Sequence, residues 1–105
     1  MFVDTFAVLA EPARRRILDE LLAGERPVGD LVALLGVPQP AVSKHLRVLR
    51  DAGMVAARVD AQRRCYRVEP AALAEIDGWL APYRRLWTDR LDALEAHLAR
   101  KERRS

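Results

Sequence analysis

Between residues 39 and 50 the chain sets Gln39, Ser43, Lys44, Arg47 and Arg50 at successive intervals of four, one, three and three. On a helix that spacing gathers an amide, a hydroxyl and three cations on one side. An amide can pair bidentately with adenine, lysine or arginine can reach guanine or a phosphate, and serine can bond either. Pro40 adds an apolar contact for a thymine methyl. His45 follows Lys44 and reads either as a phosphate contact or as a side chain packed against a neighbouring hairpin. Farther on, Arg58, Arg63 and Arg64 offer cations suited to phosphates or to a narrow minor groove. The chemistry on offer is recognition of a DNA duplex.

These residues need a scaffold, and the apolar pattern supplies one. Val42, Leu46 and Leu49, spaced four and three, form the sheltered stripe of the same helix, which runs to about Ala52 with Gly53 as a left-handed cap. A short helix over Val28–Leu35, with Leu31, Leu34 and Leu35 inward, precedes it across the tight connection Gly36-Val37-Pro38-Gln39. Two short helices joined this way make a helix-turn-helix over residues 28–52. Upstream, one helix is expected over Val3–Ala10. A second starts at Pro12 with Ile17, Leu18, Leu21 and Leu22 apolar, and Gly24 stands where a cap belongs. Downstream, Val55–Val59 and Arg64–Val68 suit strands of a β-hairpin, a wing over residues 54–68.

Glu69-Pro70 restarts helix, with Leu73, Ile76 and Leu80 facing one way. Gly78 and Pro82 predict a kink or break, after which Tyr83, Trp87, Leu91, Leu94 and Leu98 continue an apolar stripe. The fold class is mainly α with a small β-hairpin, a winged helix-turn-helix in the order ααααββα, the last helix one rod or a kinked pair. Residues 1–69 are the DNA-binding part. Residues 70–105 are a dimerisation helix within the same single domain.

Charge agrees with this placement. Residues 36–68 hold seven basic side chains against two acidic ones, whereas residues 1–35 hold four against six and residues 69–105 balance. The net charge of +3 therefore concentrates in one central segment, as a footprint for a polyanion does. A chain of 105 residues fits one domain. It shows no phosphate-cradling glycine loop, metal cluster or His–acid–nucleophile set, which argues against an enzyme and against a cofactor. The opening Met1-Phe2-Val3-Asp4 lacks a signal-peptide pattern, no run is apolar enough for a membrane span, and the single cysteine precludes an internal disulfide; a cytoplasmic chain is expected. That cysteine, Cys65, stands between Arg64 and Tyr66 and is either an inert strand residue or a redox-sensitive thiol. A winged-helix module for binding other proteins is the alternative; it would need an apolar patch where Gln39, Ser43, Lys44 and Arg47 stand.

The run Gln39-Pro40-Ala41-Val42-Ser43-Lys44-His45-Leu46-Arg47-Val48-Leu49-Arg50-Asp51-Ala52-Gly53-Met54-Val55, with Val28-Gly29-Asp30-Leu31 and Leu9–Leu18 upstream, resembles the ArsR/SmtB family of winged helix-turn-helix repressors. Trp79–Trp87 resembles a subgroup with an extended last helix. The resemblance implies a homodimer held by terminal helices, with Phe2, Phe6, Leu80, Tyr83, Trp87, Leu91, Leu94 and Leu98 at the interface. It also implies a palindromic operator and repression relieved by a ligand. Three departures stand out. Pro27 and Gly29 occupy the positions of the family's metal-sensing cysteines, and His97 with Asp89, Asp92 and Glu95 makes a poor substitute for its other metal site. Pro38 stands where a serine caps the recognition helix. The release signal stays open among a ligand, a redox event, a partner and dilution, with Trp79, Tyr83 and Trp87 as walls of a small-molecule pocket or as dimer core.

Overall fold

The protein is described by a computed structural model covering residues 4–104. Its elements run α1 (Thr5–Leu9), α2 (Pro12–Leu21), β1 (Arg26–Pro27), α3 (Val28–Leu35), α4 (Gln39–Asp51), β2 (Val55–Asp60), β3 (Arg63–Val68) and α5 (Pro70–Arg104). Packing divides the chain into residues 1–74 and residues 75–105.

In the first unit α2 is the hub, packed against α1, α3, α4 and β3. Its 0%-exposed Ile17 joins Leu31, Leu46 and Leu49, likewise 0% exposed, in the centre of the core. The helix starts where expected, with Pro12 just inside and the Glu11 carboxylate accepting from Ala13 N at 3.5 Å. Three consecutive arginines on α2 then satisfy carbonyls that helix ends leave without partners. Arg14 Nε donates to Val8 O at 2.6 Å, Arg15 donates to Leu9 O, and Arg16 Nη2 donates to Leu35 O at 3.4 Å. The basic run is a tie between helix termini.

α3 carries no side-chain cap at its start and ends on Gly36 at φ +64°, whose N–H reaches Val32 O at 3.0 Å. α4 ends in a Schellman motif: Gly53, at φ +75°, donates to Arg50 O and Met54 donates to Leu49 O, both at 2.9 Å. That turn delivers Met54, 1% exposed, to the core and starts β2. A two-residue tip, Ala61-Gln62, reverses the chain, and Glu69 N donating to Met54 O at 2.9 Å closes the hairpin's base.

Three expectations are corrected. The sheet has three antiparallel strands in the order β1-β3-β2, because Arg26 and Pro27 pair with Tyr66 and Cys65. A two-residue strand containing proline has no periodicity to announce it, and proline is tolerated there because β1 lies at a sheet edge. Leu34 is exposed, as is Leu22, since α3 buries only Leu31 and Leu35 and α2 only Ile17 and Leu21, about one residue per turn. Gly24 is not the cap of α2; Leu22 is, bonded to Asp19 O and Leu18 O.

α5 is a single helix, so Pro82 does not split it. Proline offers no N–H to the Gly78 carbonyl. Within the same stretch Arg84 pairs with the Asp77 carboxylate and donates to Asp77 O at 3.4 Å, adding donors beside the deficient turn. Along residues 75–105 the helix leaves Tyr83, Trp87, Leu91, Leu94 and Leu98 exposed and Leu80 half-exposed. Trp79 and Tyr83 stack at 4.8 Å between ring centroids. Of the earlier residues assigned to an interface, Phe6 is 37% exposed, and Phe2 lies outside the described residues.

Candidate nucleic-acid interface

α4 positions the candidate residues by burying its other side. Val42, Leu46 and Leu49 are at most 1% exposed against α2, α3 and β2, which leaves Gln39, Pro40, Ser43, Lys44, Arg47 and Arg50 open to solvent. Among the described residues, Lys44, Arg47 and Arg50 have no acidic partner. Gln39 and Pro40 occupy the first two helical positions, and neither Pro38 nor any other side chain caps the start. His45 is set apart from this group. It is half-buried, with Nδ1 3.4 Å from Arg14 Nη1, so it faces α2 instead of the open side.

The wing arginines separate as well. In the β2–β3 register Val59 pairs with Arg64 and Ala57 with Tyr66, while Arg58 pairs with Cys65; side chains of directly paired residues share a face, and faces alternate along the strand. Arg64 therefore shares a face with Tyr66, and Arg58 takes the other. Arg58 is engaged there: its Nε donates to both Glu25 carboxylate oxygens at 2.8 and 2.9 Å, and its Nη2 lies 2.7 Å from Oε1. The hydrogen-bonded Glu25 carboxylate, and then its charge, hold the Arg58 guanidinium above its ordinary pKa. Arg63 at the tip lies 3.8 Å from Asp60. Arg64 has no ion-pair partner among the described residues.

Two recesses adjoin this surface. One of about 350 Å³ lies between α4 and β3, lined by Val28, Ser43, Arg47, Arg50, Asp51, Arg64 and Tyr66. The other, about 320 Å³, is lined by residues 27–30, Gln39, Arg63 and Arg64. Arg64 borders both. The structure thus brings Gln39, Ser43, Arg47, Arg50, Arg63 and Arg64 to a continuous edge, and leaves Arg58 and His45 off it. Tyr66, Asp51 and the uncapped start of α3 belong to this edge and were not foreseen. Strand alternation from Arg64 was the signal that could have found Tyr66. Pro27 and Gly29 form part of the second wall, and no cluster of three His, Cys, Asp or Glu able to hold a metal occurs among the described residues. Cys65 is 4% exposed.

A helix-turn-helix joined to a β-wing, with unpaired cations on the second helix, defines a winged helix-turn-helix domain. Residues 11–57 match the family described as bacterial regulatory protein, arsR family. The chain is 40% identical over 95 residues to the uncharacterized HTH-type transcriptional regulator Rv0081 of Mycobacterium tuberculosis (strain ATCC 25618 / H37Rv), covering 86% of this chain and 81% of that one. It is 43% identical over 68 residues to the HTH-type transcriptional regulator Rv2034 of the same organism, covering 65% of this chain and 64%, under two thirds, of that protein's length. The crystal structure of a possible transcriptional regulator for arsenical resistance superimposes with a TM-score of 0.69 at 41% identity, over 90% of this chain and 95% of that one. The chain belongs to the ArsR family of bacterial regulatory proteins.

Proposed function

We propose that this chain is a sequence-specific DNA-binding transcriptional repressor that acts as a homodimer on a palindromic operator and lets go on an effector signal. The observation that carries the reading is the unpaired cationic side of α4, Lys44, Arg47 and Arg50, opposite a stripe at most 1% exposed. A helix of this kind enters the major groove, where Gln39 on its first turn meets base edges and Ser43 bonds a base or a phosphate. Lys44, Arg47, Arg50, Arg63 and Arg64 neutralise phosphates. His45 positions α4 against α2, and Arg58 serves the wing's anchoring to Glu25. The exposed apolar residues of α5, with Phe6, are the surface for a second copy, which sets two recognition helices about 34 Å apart on successive turns of the duplex. A protein-binding module is disfavoured, because the open side of α4 carries no apolar patch.

The test is a mobility-shift titration with duplexes from the DNA upstream of the chain's own coding sequence, at several salt concentrations. The reading expects one retarded species with two-fold symmetric protection, and affinity falling steeply with salt. Equal, weak binding to every duplex would contradict it.

A further inference from the structure

We infer that the recess between α4 and β3 is a discrete oxyanion site that seats one phosphate group, with the Tyr66 hydroxyl as its fixed donor. The Tyr66 residue is only 7% exposed, yet among the described residues nothing hydrogen-bonds its hydroxyl. No buried side-chain oxygen among the described residues lacks a partner, so the hydroxyl is the part of this side chain that reaches open space, and the recess is what Tyr66 lines. A hydroxyl without a protein partner, at the open end of an otherwise buried ring, is available to an acceptor that enters the recess.

The remaining walls specify which acceptor. Arg47, Arg50 and Arg64 present three guanidinium groups without ion-pair partners, Ser43 adds a second hydroxyl, and Asp51 is the one carboxylate. Three positive charges against one negative leave the site cationic, and forked guanidinium donors beside two hydroxyls match the tetrahedral oxygens of a phosphate. A volume of about 350 Å³ is ample for one such group. Tyr66 lies between Ala57 and Arg26 in the central strand of the sheet, which fixes the face its side chain takes, and at 7% exposure the packing around the ring restricts its rotamers. The inference rests on the proposed DNA-binding reading only for the source of the phosphate, which is a backbone phosphate of the duplex or a free phosphate anion.

The chain has two tyrosines, so ring-labelled tyrosine gives two resolvable signals by NMR. The full-length protein is titrated with inorganic phosphate, with sodium chloride at matched ionic strength, and with operator and scrambled duplexes. Tyr66→Phe keeps the ring and removes only the donor. The inference expects phosphate or duplex to shift the Tyr66 signal while chloride does not. It further expects Tyr66→Phe to weaken that binding about tenfold without changing the salt slope, as loss of one hydrogen bond to a charged group does. Arg64→Ala reduces the slope for duplex by about one unit. A Tyr66 response to duplex assigns the backbone source; a response to inorganic phosphate alone assigns a free anion and counts against the DNA-binding reading while leaving the site intact. Unchanged affinities in Tyr66→Phe, or equal shifts with chloride, would overturn the inference even if the protein binds its operator well.

Discussion

Arg14 of α2 and His45 of α4 meet at 3.4 Å, guanidinium to Nδ1, while the same guanidinium donates through Nε to Val8 O at 2.6 Å. A guanidinium can only donate, so a hydrogen bond between the two runs from Arg14 to His45. One arginine thus ties the end of α1, the hub α2 and the recognition helix together. Arg14→Met keeps much of the stem and should cost about 1–2 kcal/mol, lowering Tm by roughly 5–10 °C. Thermal unfolding by circular dichroism checks this; an unchanged Tm would show the tie to be idle.

Glu25 restrains Arg58 through a bidentate pair. Glu25→Gln should free a cation at the wing and tighten binding to all duplexes two- to threefold, while stability stays nearly unchanged because the pair is solvent-screened. Arg58→Ala should weaken binding less than Arg64→Ala does. Salt-dependent titrations of the three variants separate the outcomes, and an Arg58 effect equal to that of Arg64 would contradict the face assignment.

Ala61 adopts φ +57° at the first position of the two-residue hairpin tip, where glycine is at ease and an L side chain is strained. Ala61→Gly should stabilise the fold by about 0.5–1 kcal/mol, offset only in part by the freer unfolded chain. The urea midpoint should rise with the slope unchanged.

Pro38 begins α4 without any side-chain hydrogen bond to the exposed N–H groups. Pro38→Ser supplies a cap and should add about 1 kcal/mol of stability, or tighten DNA binding through its hydroxyl. Identical Tm and identical affinity would refute this.

Asp77 is held below its ordinary carboxylate pKa by the hydrogen bond from Arg84 and then by its charge. The sign follows from the lowered value: the pair stabilises α5 at all pH above the unfolded carboxylate's pKa of about 3.9, and that contribution fades as pH falls through the depressed value. Helicity at 222 nm should therefore drop in strong acid, and the Asp77→Asn variant should lack that component. A wild-type acid limb identical to the variant's would exclude the pair as its cause.

The spacing of Val42, Leu46 and Leu49, the glycine at 53 and the charge of residues 36–68 determined, without any coordinates, that one helix would bury a stripe and leave cations open on its other side. Such features are legible because helical periodicity and left-handed caps act over a few neighbouring residues. Which cations stay available was decided only in three dimensions. Arg58 and Arg64 look alike in the chain, yet strand alternation sends one to Glu25 and the other to the recess that Tyr66 lines. His45 beside Lys44 reads either as a phosphate contact or as packed against the hairpin, but helix phase turns it toward Arg14. Nothing near the three arginines at 14–16 announces their partners, which the tertiary fold supplies as the carbonyl ends of α1 and α3. Partners 31 or 33 residues apart leave no local trace, because a long-range pair depends on where the packed core places two backbones and on nothing in the sequence near either one.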